Sequence, residues 1–265
     1  STFSEAENTV YVPRIGTSPA IKCLSDATIK HQNLFQLKLD SEVVIAGYMQ
    51  SFPRSALGSL ILQKETYGSI PHLTMARLKE VPIPIPSLSE QHNIVATIEK
   101  LDKLREMVRE GESSKLEFKQ TLSWNIRSHQ KDIAMQVASL KQIVGFLNSS
   151  GGTLLVGVGD DGSIPGVNFE IEKLHRNSVD NFQTGFKNLL KDRIGEEFYP
   201  YWDVVIHNID GLYVLHVDCR PSRKTCWLMN PETKKEEFYV RAPAATDKLE
   251  GRVLADYIEN HNWDV

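Results

Sequence analysis

The sequence predicts an α+β protein, with a mixed sheet in its second half and a long amphipathic helix ahead of it. Three observations carry that expectation. Leu116–Lys119 alternates apolar and charged residues, and Thr153–Val158 is a short apolar run behind two glycines. Val204–Ile209 and Leu212–Val217 alternate on either side of Asp210-Gly211, a strong hairpin signal. Helical apolar spacing over 132–147 and 182–194 is interspersed with these strands, without a regular βαβ repeat.

Taken in order, Val10–Ile15 reads as a strand interrupted by Pro13, with a Gly-Thr-Ser-Pro turn after it. Leu34–Leu39 alternates and reads as a second strand. Ala46–Leu62 carries apolar residues at helical spacing, with Pro53 and Gly58 as breaks. Residues 68–73 are loop-like, and Met75–Val81 is a short helix or turn. Prolines at every second position of Val81–Pro86 exclude a helix and a central strand, leaving an extended segment. Ser87-Leu88-Ser89-Glu90-Gln91 is a helix start with serine caps. Ile94, Ile98, Leu101, Leu104 and Val108 then share one stripe. The spacing is close to heptad, which fits either pairing with a second copy through 87–110 or a single helix lying on its own domain.

In the second half, Leu116 and Phe118 should face inward and Glu117 and Lys119 outward. A helix should run from Asp132 to Leu147 and end at Asn148-Ser149-Ser150-Gly151-Gly152, where glycine supplies the left-handed cap. The strand Thr153–Val158 leads into a Gly159-Asp160-Asp161-Gly162 turn. Phe182–Ile194 is a further helix, Cys226–Met229 and Glu237–Arg241 a second strand pair, and Asp247 or Glu250 begins a closing helix. Trp124 and Trp202 belong to the core. The expected organisation is 1–86, 87–110 and 111–265.

Composition narrows the function classes. At 265 residues the chain has room for two ordinary domains, and its 24% charged and 41% hydrophobic content is that of a globular protein. No apolar run approaches the roughly 20 residues of a membrane span. Cys23, Cys219 and Cys226 are an odd, widely spaced set, which points to reduced thiols in the cytoplasm and away from a zinc ribbon. Net charge is −4, and residues 1–110 are balanced at 12 basic against 12 acidic, so the deficit lies wholly in the second half. Contact with nucleic acid must therefore rest on local patches. The eight histidines form no H-x-x-x-H pair, Gly-x-Ser-x-Gly is absent, and no Gly-Lys-Ser/Thr marks a P-loop.

Tyr11–Pro19, Lys30–Asn33, Gly68–Leu73 and above all Val81-Pro82-Ile83-Pro84-Ile85-Pro86-Ser87-Leu88-Ser89-Glu90-Gln91 resemble the DNA target-recognition domain of type I restriction–modification specificity subunits. The resemblance implies sequence reading on DNA, a spacer helix, and association with a DNA methyltransferase. A complete domain of that kind is longer than 1–86, so its front part is expected to lie outside this sequence, which opens on Ser1 in mid-strand. By residue type, Arg14, Lys30, His31, Asn33, Arg54 and Lys64 are the candidate contacts: Arg and Asn suit base edges and Lys suits phosphates. Each is equally a solvated surface group.

Glu112-Ser113 with Leu116-Glu117-Phe118-Lys119, Phe146–Gly152 with Leu154–Gly162, and Glu236–Ala242 with Thr246 resemble the Schlafen AlbA-like family of nucleic-acid-binding domains. In animal Schlafen relatives these segments carry three acidic residues of a metal-dependent ribonuclease. The resemblance places two of them at Glu112 and Glu117, and the third at Asp160 or Asp161, since Gly159 stands where the acid commonly falls. Carboxylates converging on Mg²⁺ or Mn²⁺ would activate water against a phosphodiester, and Lys119 would stabilise the developing charge. Glu117 and Lys119 also fit an exposed strand-face pair, with Glu112 in a loop. Arg220, Arg223 and Lys224, with Trp227 behind them and Arg241 a strand later, form the best local basic patch. Arg241 fits equally a structural partner of Asp218 or Glu237.

Three readings follow: a DNA- or RNA-binding component of a restriction–modification or phage-defence protein, a metal-dependent nuclease, and an assembly module docking on a methyltransferase.

Overall fold

The computed structural model describes residues 6–15, 20, 31–55, 58, 60–61, 64, 72–243 and 245–263. Chain packing divides it into two compact units, Ser1–Lys103 and Leu104–Val265.

In the first unit, β1 (Thr9–Pro13) pairs antiparallel with β2 (Leu34–Lys38), Thr9 opposite Lys38 and Pro13 opposite Leu34. Proline stands at the strand's last position, where a missing N–H costs least. Val10, Val12, Phe35 and Leu73 form a small core. Helix α1 (Ala46–Ser51) stops before Pro53, which sits in the tight turn Phe52–Arg54, as the break at that residue foretells. Thr74 caps the one-turn helix α2 (Met75–Leu78). Extended residues 81–87 lead into α3 (Leu88–Glu110) through a capping box: the Ser87 N–H donates to Glu90 Oε2 (2.9 Å) and the Glu90 N–H to Ser87 Oγ (3.3 Å). Gln91, fully buried, receives the Ile45 N–H and donates to the carbonyls of Val43 and Pro86, so the helix start is tied to the loop before α1.

The second unit holds a four-stranded mixed sheet. Strand β3 (Leu116–Lys119) and, beyond the short hairpin β4 (Trp124–Asn125) and β5 (Gln130–Lys131), helix α4 (Ile133–Leu147) lead to β6 (Gly152–Val156). Strands β3 and β6 run parallel, Leu116 opposite Thr153, so α4 is their crossover. Helices α5 (Asn168–Leu174) and α6 (Val179–Arg193) precede the hairpin of β7 (Trp202–Ile209) and β8 (Leu212–Cys219). Asp210 and Gly211 both take positive φ there, 53° and 89°, the turn an Asp-Gly pair is suited to. Strand β8 pairs antiparallel with β6, and the order across the sheet is β3-β6-β8-β7. Leu154, Val156, Leu215 and Val217 on one face meet Leu140, Ile143, Val144 and Leu147 of α4 and Phe182, Phe186 and Leu190 of α6. Phe118 and Leu155, also buried, alternate onto the other face. The last turns of α3 belong to this unit: Leu104 and Val108 are buried, and Arg105 pairs with Asp210 at 3.1 Å.

A second, three-stranded sheet is built from β9 (Leu228–Asn230), β10 (Lys235–Arg241) and β11 (Thr246–Leu249), with β10 central. Helix α7 (Gly251–Asn260) closes the chain behind Glu250. Of the two starts expected for that helix, Glu250 is its cap, whereas Asp247 lies in β11. The α+β class is therefore observed. Trp124 and Trp202 are buried, as expected of core residues, and Ile133, at the first position of α4, is 46% exposed.

Asn148 ends α4 and is fully buried. Its amide donates to the carbonyls of Cys226 (2.8 Å) and Tyr239 (2.9 Å), and its carbonyl oxygen accepts from the Cys226 N–H (2.8 Å). Replacing it leaves three backbone groups without partners, each worth about 1–3 kcal/mol. Asn148→Ala should lower the second unit's thermal midpoint by at least roughly 6–12 °C, read by circular dichroism; an unchanged midpoint would show that water replaces the amide.

Candidate nucleic-acid interface

The predicted acidic residues lie around β3, and each has a structural task. Strand β3 is an edge of its sheet, so the outward N–H of Phe118 needs a partner. Glu112, exposed at the start of the loop, supplies it, accepting that N–H on Oε1 at 2.8 Å. Glu117 points to the opposite side. Its Oε1 takes Lys119 Nζ at 2.5 Å and its Oε2 takes Arg241 Nη1 at 2.8 Å, with its side chain only 12% exposed.

Arg241, at the end of β10, is 4% exposed and uses its whole donor fork. Nη1 also donates to Gln142 Oε1 (3.0 Å) and Thr246 Oγ1 (3.2 Å), Nη2 to the Ser113 carbonyl (2.6 Å) and Nε to the Ser114 carbonyl (3.3 Å). The guanidinium lies over the Phe146 ring at 5.1 Å. Thr246 in turn donates to Gln142. The expected place of Arg241 on a cationic rim is thus corrected: it is a buried structural partner, and of Glu117 rather than of Asp218 or Glu237. Asp218 accepts from Thr153 Oγ1 (3.0 Å), and Glu237 is held by Asn230, Tyr239 and Lys248.

Asp160 is exposed in the turn beyond β6. Next to it, Asp161 accepts the Ser163 N–H at 2.9 Å, and hydrogen bonds from Ser163 hold its carboxyl below the usual carboxylate range. Among the described residues no group of three His, Cys, Asp or Glu side chains is placed to hold a metal ion. Glu112, Glu117 and Asp160 therefore do not assemble the Mg²⁺ or Mn²⁺ site that the resemblance implied. Both oxygens of Glu117 are already committed to cations, Lys119 and Arg241. Glu117 and Lys119 do pair along one strand face, but the exposed, outward pair that was expected is corrected: the Glu117 side chain is 12% and that of Lys119 27% exposed, because Arg241 covers this face.

The second basic patch is balanced by acids. Arg220 pairs with Asp203 (3.2 Å) and donates to the Pro200 carbonyl (2.7 Å), while Lys224 sits 5.0 Å over the Phe198 ring and 4.0 Å from Glu197. Arg223 is exposed beside them. Trp227, expected behind the patch as a stacking surface, packs edge-on against Phe238 at 5.0 Å and is half-buried. Burial pushes the thiols of Cys219 and Cys226 well up, so neither is an activated nucleophile.

In the first unit the Arg14 N–H donates to the Asn33 carbonyl (2.8 Å), which brings those two candidates together at the end of the β1–β2 pair. The Arg14 guanidinium lies over the Phe35 ring at 5.1 Å. Lys64 is exposed. Arg54 closes the turn after α1, Lys30 lies outside the described residues, and His31 begins the turn before β2.

At the carboxyl ends of β3 and β6, sequence reasoning missed a feature. A cleft of about 580 Å³ opens there between the segments that leave the two strands, walled by Trp124, Ile126, Gly166 and Phe169. Glu170 is buried under it, accepting the N–H groups of Leu122 and Ser123 and the Ser123 hydroxyl. The available signal was Phe169 with Lys173 one helical turn on, an aromatic and a cation on a short polar helix.

A sheet with one parallel pair extended antiparallel, and ringed by helices, is the class of domain the second unit defines. The profile of the Schlafen, AlbA_2 family matches residues 112–250, more than half of the chain, and the chain belongs to that family. The profile of the type I restriction modification DNA specificity domain matches residues 31–117, so both resemblances read from the sequence are found on one chain. No curated protein matches. Among solved structures, the crystal structure of the DIP2311 protein from Corynebacterium diphtheriae is similar at 14% identity and a TM-score of 0.37, covering 64% of this chain and 32% of that one. This chain thus spans about a third of that protein's length. No helix among the described residues is long and apolar enough to cross a membrane.

The buried pair gives a test of its own. Glu117→Ala strands Arg241 in a site that excludes water and should destabilise by about 3–5 kcal/mol in urea unfolding. Pairing it with Arg241→Met should return much of that loss. A Glu117→Ala variant as stable as the parent, combined with a Mn²⁺-dependent rise in the parent's melting midpoint alone, would instead make Glu117 a metal ligand.

Proposed function

We propose that this chain is a DNA-binding component of the restriction–modification kind, in which a specificity-type unit directs DNA recognition and a Schlafen AlbA-type unit holds nucleic acid. The observation that carries the reading is the adjacency of the two family matches, 31–117 and 112–250, on a chain whose helix α3 runs unbroken from 88 to 110. The two matches support a DNA-related role in common. Arg14 and Asn33, adjacent at one end of the β1–β2 pair, supply the residue types that read base edges, and Lys64 supplies a phosphate contact. With a net charge of −4, such contacts act as local patches on a molecule that long-range attraction to DNA does not favour.

The specificity-type unit also supports association with a methyltransferase or another subunit of such a system. Pairing of two copies through α3 has less to draw on. Of its apolar stripe, Leu104 and Val108 are already buried in the second unit, Ile98 and Leu101 are half-buried, and Ile94 is exposed.

Binding to a labelled duplex, followed from about 50 to 200 mM salt, should weaken linearly on a log–log plot with a slope near −0.9 for each phosphate contacted. Lys64→Ala should make the slope shallower by about 1 on every sequence. Arg14→Ala should lower affinity by about 1–3 kcal/mol on a selected site and little elsewhere. A duplex affinity absent at the lowest salt would overturn the reading.

A further inference from the structure

The cleft at the carboxyl ends of β3 and β6 has a different chemistry from the polar knot around Arg241. In open sheets this is where ligands collect, outside the ends of parallel strands. Its volume of about 580 Å³ is within the range that receives a small ligand or one residue of a larger one. The walls are aromatic and apolar without being closed: Phe169 is 47% and Ile126 45% exposed, and Trp124 meets Phe169 edge-on with centroids 5.2 Å apart. At the mouth, the side chains of Gln120, His129 and Asn177 have no hydrogen-bond partner among the described residues, so amide and imidazole groups are available to the edge of a ring.

Three exposed cations lie near the cleft's lining in sequence. Arg127 and Arg176 are exposed sequence neighbours of the cleft-lining Ile126 and Asn177, Lys131 is exposed two residues beyond the lining His129, and none of the three has an ion pair among the described residues. Of the nearby acids, Glu172 is paired with Lys173 at 2.6 Å, Glu170 is sealed beneath backbone N–H groups, and Asp132, next to Lys131, accepts from Asn125 Nδ2 and the Ala134 N–H. In a chain of negative net charge, an apolar slot with three uncompensated cations around it selects an anion that carries a flat ring. A stacked duplex offers its bases no route into such a slot; an unpaired strand does.

We infer that this cleft receives one unpaired base of a nucleic-acid strand, stacked on the Phe169 wall, with the neighbouring phosphates on Arg127, Lys131 and Arg176. The inference rests on the reading of the chain as a nucleic-acid binder and adds a single-strand subsite to it. Phe169 is half exposed, so its removal spares the core, and a melting curve checks this.

The test uses the full chain and fluorescence anisotropy with labelled single strands of about 15 nucleotides, as DNA and as RNA, beside the matching DNA duplex. Phe169→Ala should weaken single-strand binding about 5- to 100-fold, the value of one base on an aromatic ring, in at least one of the two strand chemistries. Duplex affinity should stay unchanged. Lys131→Ala should make the single-strand salt slope shallower by about 0.7. Unchanged single-strand affinity in Phe169→Ala, or an equal loss on strand and duplex, overturns the subsite. A parent protein that binds duplex alone also overturns it while leaving the proposed function standing; one that binds no nucleic acid removes both.

Discussion

The second unit depends on placing one guanidinium where water does not reach. Arg241 is 4% exposed, and a charge so placed is tolerable only with an opposite charge and a full set of acceptors around it. Glu117 provides the charge; Gln142, Thr246 and the carbonyls of Ser113 and Ser114 provide the rest. Those partners come from the edge strand β3, the loop ahead of it, the middle of α4 and the start of β11. Satisfying one side chain therefore fixes the three-stranded sheet against the four-stranded one through the crossover helix. An apolar substitute of similar volume would fill the space without demanding that geometry, so the pair contributes register more than net stability.

The same device recurs on a smaller scale. Asn148 closes the end of α4 by bonding the backbone of the β9 and β10 segments, Gln91 closes the start of α3 against two carbonyls and an N–H, and Glu170 caps the turn at Leu122 and Ser123. In each case a buried polar side chain meets backbone groups that no helix or strand can serve. Residues of this kind resemble functional candidates in a sequence, because chemistry and structural satisfaction call for the same side chains.

That ambiguity marks the limit of what the sequence made legible. Period-2 alternation at 116–119 and 204–217, the apolar stripe of α4 and the Asp-Gly turn all rest on local periodicity, and they appear in the fold near where they were expected. Hairpin β4–β5 has two residues a strand and so no period to detect, and helix α5 is two turns of mixed polarity. Strand β11 went unseen because its four residues, Thr246–Leu249, are mostly polar and lie along an edge. At the candidate site, the placement of Glu117 and Lys119 on one strand face followed from alternation and that of Glu112 from the resemblance, but their partners did not. Arg241 lies 124 residues from Glu117, and nothing local distinguishes a rim arginine from a buried one.

Separation of the structural and binding chemistries follows from where charge is compensated. Around Arg241 the one carboxylate, Glu117, is shared by Arg241 and Lys119, and at Arg220 and Lys224 the acids Asp203 and Glu197 stand within ion-pair distance. A polyanion arriving at either place would have to displace a partner already in position. At the carboxyl ends of β3 and β6 the balance is reversed: the acids are engaged and the cations Arg127, Lys131 and Arg176 are not. Binding free energy comes from interactions left unmade in the free protein, so a surface whose charges are already satisfied contributes little to it. In the second unit, uncompensated charge therefore favours the cleft proposed above as the single-strand subsite over the glutamates that family resemblance brings forward.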